Sequence, residues 1–466
     1  MNEIEKTVPL KAAILALGCK VNYFEGAALR EKFRDEGFVV VPETETADVY
    51  VINACSVTRQ AVRKCRQLIH RLKKLNPQSM IVMTGCYPQT EPEEASSLPD
   101  VDLITGTAER LLLPGLVREK AAGGTGGKTG KNKVRLYSAE REEIFEEMPW
   151  TPEQGRTRAF LKIQDGCRQF CTYCSIPLAR GPLRSLPPER GLHYLRKIGE
   201  SGFKEVVLTG IHLGQYGVDL SSSTDLSAFL EMATTVKGIE RIRLSSLEPT
   251  DLHEGLIRVI RSNDKICRHL HIPLQSGDDT ILMAMGRPYD TDYYYNLLQR
   301  LHGEISDLAV STDIMTGFPG ESEDNFLRSL DFVREAGFSR LHVFKFSPRK
   351  GTPAADMPQQ IPQPVKEKRS KEMISLGEKL AGVFREKHLG RISSVLLEKE
   401  IETDIAASEA HDEERVIWEG LTSNYLRVRV KLKAGDWRGK MINVLPEISG
   451  DGFLCGKFVP DNQRQA

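Results

Sequence analysis

The chain has 466 residues, 40% of them hydrophobic, and its 64 basic side chains balance 64 acidic ones. A length of this order asks for roughly two to four domains, and zero net charge excludes a global attraction to nucleic acid, so any RNA binding must rest on local patches. No stretch approaches the length of a membrane span, so a cytoplasmic protein with no membrane partner is expected, and nine cysteines in a reducing compartment point to thiolate ligands over disulfides.

Three apolar runs open the chain: Ala12 to Leu17, Val49 to Ile52 and Met80 to Met83, the first two followed by helical patterns. Each is followed within three residues by a cysteine, namely Cys19, Cys55 and Cys86. In a parallel α/β sheet the carboxyl ends of strands share one edge, so three cysteines in the same structural slot should converge there as metal ligands. Gly18 and Gly85 directly precede two of them, where a missing side chain lets a bulky cofactor approach. Any one of these cysteines alone would read as a routine buried residue.

From Ala121 to Lys133 there are five glycines and hardly an apolar side chain, the composition of a linker. Past it stands Asp165-Gly166-Cys167-Arg168-Gln169-Phe170-Cys171-Thr172-Tyr173-Cys174. Three thiolates spaced C-x3-C-x2-C on one short loop can hold three irons of a four-iron cluster and leave the fourth open to a small molecule. A zinc site normally has four ligands and would need another Cys or His nearby.

From Phe160 to Phe346 strand and helix patterns alternate. The strands are expected at about Phe160 to Gln164, Glu205 to Leu208, Arg241 to Leu244, His269 to Leu274, Ala309 to Ile314 and Leu341 to Phe346. Six βα units imply a parallel sheet curved into an open barrel, with chemistry at the carboxyl ends of its strands. Tyr173 beside the cysteines and Gly210, Glu248, Gln275 and Asp313 at those ends are candidates to contact a cofactor, although Gly210 could be a plain turn, Gln275 and Asp313 could cap the following helices and Tyr173 could pack in the core. Gly317-Phe318-Pro319-Gly320-Glu321 reads at least as well as a turn before a helix. A proline-rich junction, Pro353 to Pro364, leads into a charged helix from Val365 to about Lys387, and the tail then turns β-like. In it Arg427, Arg429, Lys431 and Lys433 alternate with apolar residues, which puts four positive charges on one strand face, either a solvated surface or a seat for RNA phosphates. Cys65, Cys267 and Cys455 have no cysteine neighbours and receive no metal role; the histidines show no ligand spacing.

The cysteine loop, with an aromatic just before its last Cys, resembles the radical S-adenosylmethionine (SAM) enzymes. Together with Leu17-Gly18-Cys19-Lys20-Val21-Asn22, Asn53-Ala54-Cys55-Ser56-Val57-Thr58 and Glu419-Gly420-Leu421-Thr422-Ser423-Asn424-Tyr425, it resembles the methylthiotransferases over nearly the whole chain. Lys20-Val21-Asn22 looks like the branch acting on N6-threonylcarbamoyladenosine in tRNA, although Tyr23 and Phe24 depart from the Gln-Tyr common in that branch. The resemblance implies an α/β chain of an N-terminal parallel α/β domain (9–120), a linker (121–150), a partial (β/α)6 radical SAM barrel (151–386) and a small C-terminal β domain of the TRAM, OB-like kind (387–460). It implies SAM and two [4Fe-4S] clusters, on Cys167, Cys171 and Cys174 and on Cys19, Cys55 and Cys86. The first would cleave SAM to a 5′-deoxyadenosyl radical, the second would carry the sulfur to be inserted, and a second SAM would methylate it. The implied partners are the anticodon loop of tRNA, whose bases can be splayed out of their stack, a sulfur source and an electron donor, either flavodoxin-like or a chemical reductant. The alternatives are a methylthiotransferase for isopentenyladenosine or for a ribosomal protein and, in another class, a non-catalytic iron–sulfur RNA-binding sensor, which a SAM cleavage assay would separate from an enzyme.

Overall fold

The computed structural model describes residues 9–55, 59–122, 133–135, 144–153, 155–222, 224–401 and 415–460. The glycine-rich linker and Ser56 to Thr58 lie largely or wholly outside them. Two compact units form, one from Met1–Thr151 with Gln164–Leu186 and Ser347–Ala355, the other from Pro152–Ile163, Pro187–Phe346 and Asp356–Ala466.

The first unit is built on a six-stranded sheet in the order Val39–Val40, Lys11–Ala16, Val49–Ala54, Met80–Gly85, Leu103–Thr105, Lys133–Arg135. All of its pairings are parallel. Val49–Ala54 is buried at every position, as a central strand covered on both faces must be. Helix Arg59–Leu75 lays Cys65, Ile69 and Leu72 against Tyr50, Ile52, Ile81 and Met83. The three expected N-terminal strands are therefore neighbours, and their carboxyl ends fall on one edge.

The same unit contains the cysteine loop. A short antiparallel pair, Gln164–Asp165 with Arg184–Ser185, closes its base, and helix Ile176–Arg180 follows it. Cys167 N–H donates to Gly181 O at 3.0 Å, and Ala354 N–H donates to Thr172 O at 2.8 Å. Gly166 has φ +74°, and a methyl group there would meet Pro182 O at 1.7 Å, so only glycine fits this turn.

In the second unit, strands Arg158–Lys162, Glu205–Thr209 and Arg241–Leu244 form one parallel sheet, and His269–His271, Ala309–Thr316 and Arg340–Lys345 another. Bridges Ile242↔Ile266 and Ser246↔His271 join them into an arc of six strands in chain order, a partial barrel. The fourth strand stops short of the expected Leu274 because Pro273 has no N–H for the ladder and Gln275 turns left-handed at φ +72°. Helix Gln363–Glu386 leads to a closed five-stranded barrel ordered Ser393–Ile401, Arg415–Thr422, Arg427–Lys433, Leu454–Val459, Met441–Ser449. Val395, Leu397, Trp418, Val428, Val430, Leu432 and Val444 fill it. Buried Arg243 fastens it to the partial barrel: held by Glu205 at 2.7 Å, it donates to Thr422 O and Ser423 O, with the Tyr425 ring 4.3 Å away.

Candidate metal centres and cofactor-contacting residues

Each cysteine of the first set lies just beyond the carboxyl end of its strand. Cys19 is the N-cap of helix Lys20–Asp35, Cys55 directly follows Val49–Ala54, and Cys86 opens helix Cys86–Thr90. A methyl group on Gly18 would lie 2.4 Å from Cys55 Cβ and 2.8 Å from its Sγ, so the chain before Cys19 passes directly over Cys55. Cys19 is exposed at its surface while Cys55 and Cys86 are buried, yet the protein packed around its sulfur pushes the thiol up; Arg180 pulls it down, Cys86 and Glu25 push it further up, and the net direction is upward. A bound metal cation takes the thiolate form and so opposes that upward shift at Cys19.

Beneath the set lies a buried ionic network. Arg180, at the end of the helix after the cysteine loop, is fully buried. Its Nε–H donates to Cys86 Sγ at 3.2 Å, Nη1 to Glu25 at 2.5 Å and Asp165 at 3.2 Å, and Nη2 to Asn22 at 2.8 Å and Glu25 at 3.2 Å. Arg110 joins Glu25 at 2.6 Å and Glu146 at 2.8 Å, and Arg184 lies 4.0 Å from Asp165. Three arginines thus meet three carboxylates, and beyond those pairs one guanidinium N–H of Arg180 reaches the Cys86 sulfur.

On the loop, Cys171 is buried while Cys167 and Cys174 are half-buried, and Gln169 N–H points at Cys167 Sγ from 3.3 Å. A backbone donor aimed at sulfur is the environment a ligated thiolate wants. Three thiols are the donor set of a four-iron cluster with one open iron. Tyr173 is half-buried beside Cys174. Cys65 lies in the apolar core of the first unit and Cys267 beside the buried Arg243, Glu205 and Arg241, and burial pushes their thiols up to about 12 and about 11; Cys455 pairs in strand Leu454–Val459.

In the second unit, Gly210 follows strand Glu205–Thr209, and Glu248 forms an ion pair with Arg287. Burial raises the Glu248 carboxyl more than Arg287 and His212 lower it. Gln275 N–H donates to Asp313 O, and Gln275 O accepts from Met315 N–H, both at 2.8 Å. The capping alternative for Gln275 and Asp313 fails: Asp278 and Ser322 cap the helices that follow. Gly317 does form a turn, with its N–H on the Glu321 carboxylate, before helix Glu323–Ala336.

Asp313 Oδ1 lies 3.3 Å from both His271 Nε2 and His342 Nδ1, while Ser311 Oγ orients the other His271 nitrogen at 2.9 Å. Burial pushes the Asp313 carboxyl up, but the two histidines outweigh it and hold it at about 2. Sequence spacing missed this His–Asp–His group, because its members come from three strands. The Arg180 network was missed for the same reason, and the only signal for it was an arginine closing the helix after the cysteine loop.

The strand Arg427–Lys433 does place its four cations on one face, alternating with buried Val428, Val430 and Leu432. Glu419 takes Arg429 at 2.9 Å and Arg427 at 3.6 Å. Arg429 also lies 3.7 Å from the Phe453 ring centroid.

A cysteine loop of this kind and a six-stranded partial barrel define a radical SAM protein. The sequence pattern of the radical SAM superfamily matches residues 161–333, and that of the Uncharacterized protein family UPF0004 matches residues 11–106. Among solved structures, the radical S-adenosylmethionine methyltransferase TsrM of Kitasatospora setae shares the fold at a TM-score of 0.57 and 14% identity, over 75% of this chain and 77% of that one. The threonylcarbamoyladenosine tRNA methylthiotransferase MtaB of Bacillus subtilis is 38% identical over 96% of both chains, and that of Thermotoga maritima is 35% identical over 83% of this chain and 86% of its own. A tRNA-2-methylthio-N(6)-dimethylallyladenosine synthase of Pelotomaculum thermopropionicum is 35% identical over 84% of this chain and 86% of its own. The chain belongs to the radical SAM methylthiotransferases, and with that family come SAM and a [4Fe-4S] cluster. Among the described residues no helix is long and apolar enough to cross a membrane.

Proposed function

We propose that this chain converts N6-threonylcarbamoyladenosine in the anticodon loop of tRNA to its 2-methylthio derivative. The observation that carries the reading is the presence, in one compact unit, of two separate cysteine triplets, in a chain that is similar to the Bacillus subtilis threonylcarbamoyladenosine enzyme over 96% of both chains. Cys167, Cys171 and Cys174 would hold the cluster of the superfamily, which when bound supplies the electron that cleaves SAM and so generates the radical that activates an inert aromatic carbon. Cys19, Cys55 and Cys86 would hold a second four-iron cluster and leave one iron position for the sulfur to be inserted. Tyr173, Gly210, Glu248, Gln275 and Asp313 are proposed SAM contacts. Of these, Asp313 is poised to stay ionised across the physiological range and so to accept hydrogen bonds without exchanging a proton. Arg427, Arg429, Lys431 and Lys433 are proposed to face tRNA phosphates. The domain division at 9–120, 121–150, 151–386 and 387–460, a cytoplasmic location, an electron donor and a sulfur source belong to the same proposal.

Nucleoside mass spectrometry of tRNA from a deletion strain tests it. The expected result is loss of the 2-methylthio derivative of threonylcarbamoyladenosine, restored by the wild-type gene. Loss of methylthiolated isopentenyladenosine instead would move the assignment to the sister branch represented by the Pelotomaculum relative.

A further inference from the structure

We propose that Arg180 is a positioning residue shared by the two cysteine triplets, and that its Nε–H bond to the Cys86 sulfur sets the reduction potential of the cluster on Cys19, Cys55 and Cys86. The inference rests on the second cluster of the proposed function. A guanidinium has five N–H donors in a rigid planar fork, and every one of them here has a partner. One goes to the Cys86 sulfur and the rest to Asn22, Glu25 and Asp165. Each partner leads to a cysteine. Asn22 Oδ1 lies 3.7 Å from Cys19 Sγ. Glu25 accepts from Asn53 Nδ2 at 3.3 Å, two residues before Cys55. Asp165 accepts from Gly166 N–H at 2.9 Å, directly before Cys167. One planar group therefore reaches a sulfur of the first set and holds the flanks of both sets.

A structural salt bridge would satisfy the two carboxylates without sulfur. The Nε–H on Cys86 is what gives the arginine an electronic role. A hydrogen bond to a ligating thiolate, from a group that is itself cationic, stabilises the reduced and more negative cluster over the oxidised one, and so raises its potential. In an interior this dry the effect is weakly screened. Lysine at this position keeps the charge but lacks the fork, so it cannot serve sulfur and both carboxylates at once.

The test is a redox titration of anaerobically reconstituted protein, followed by electron paramagnetic resonance, in the Cys167→Ala, Cys171→Ala, Cys174→Ala background, where only the cluster on the first set contributes. Arg180→Lys should move its midpoint to a more negative potential with iron content kept. Arg110→Lys, at a side chain that grips the same Glu25 but engages Glu146 rather than sulfur, should leave the midpoint in place. Equal shifts in the two variants, or none in Arg180→Lys, would reduce Arg180 to packing and overturn the inference. Should Arg180→Lys fail to fold, protein with unaltered Arg180 carries the test: with 15N-arginine, the reduced cluster should show 15N and exchangeable-proton couplings, and their absence would overturn it equally. If the triple-alanine background holds no cluster at all, the second-cluster reading itself fails, an outcome distinct from a loaded cluster whose potential ignores Arg180.

Discussion

The two cysteine triplets reach similar donor sets by opposite routes. Cys167, Cys171 and Cys174 sit on one loop, closed at its base by a two-residue strand pair and by the Cys167 N–H bond to Gly181. Cys19, Cys55 and Cys86 are spread over sixty-eight residues of sequence and meet only because three strands pair side by side with their carboxyl ends level. The loop set is thus fixed by local backbone geometry, and the sheet set by the fold of a whole α/β layer. A site of the first kind survives any change that leaves its turn intact. A site of the second kind depends on every contact that keeps the strand ends in register.

Removing each set in turn gives the largest effects. Replacing Cys167, Cys171 and Cys174 with Ala should abolish SAM cleavage and leave about half of roughly eight irons. Replacing Cys19, Cys55 and Cys86 should also halve the iron and stop methylthio product, yet some reductive SAM cleavage should persist. Iron analysis with product chromatography reads both. Cleavage retained at full rate in the first variant, or methylthio product in the second, would break the division between the sets.

Two glycines separate the routes more gently. Gly18 has φ +108°, and a methyl group there would collide with Cys55; Gly166 has φ +74° and would collide with Pro182 O. Left-handed backbone costs a non-glycine residue about 1–2 kcal/mol before any clash is counted. Gly18→Ala should deplete the sheet cluster while SAM cleavage continues, and Gly166→Ala should do the reverse. Iron content and cleavage rate, measured side by side, check it; depletion of both clusters by Gly18→Ala would show that the loop set leans on the sheet after all.

The same contrast explains what could be read from the sequence. The cysteine loop, the six βα units and the alternation of Arg427–Lys433 are local patterns with periods of a few residues, and they were legible. The placing of Cys19, Cys55 and Cys86 along one sheet edge was legible one step removed, since three apolar runs are each followed within three residues by a cysteine and parallel sheets align such ends. Arg180 and the His271–Asp313–His342 group were not. Arg180 looks like any helix-terminal cation until Glu25, Asp165 and Cys86 surround it, and the two histidines lie on different strands from the aspartate between them. Strand ends were blurred where backbone chemistry intervened, as at Pro273 and Gln275.

The strand Arg427–Lys433 carries the contrast to its smallest expected effect. Its four cations are a local pattern, but Glu419 on the neighbouring strand engages Arg429 and Arg427, so position in the barrel sets how freely each of these two can turn to RNA. Lys431 and Lys433 are exposed. A cation that neutralises a phosphate releases counterions, and each such contact adds roughly 0.7–0.9 to the slope of log affinity against log salt. Lys431→Gln with Lys433→Gln should therefore flatten the slope for tRNA by roughly 1.5 and weaken binding at low salt, for cognate and non-cognate tRNA alike, because phosphate contacts position RNA without reading bases. Arg429→Gln should change the slope less, and should instead lower stability by about 1–2 kcal/mol, since it leaves buried Glu419 with one partner fewer. Filter binding across a salt series, paired with thermal denaturation, distinguishes the two. If Arg429→Gln flattens the slope as much as the lysine pair does, its pairing with Glu419 opens when tRNA binds, and the local pattern outweighs the partner that the fold supplies.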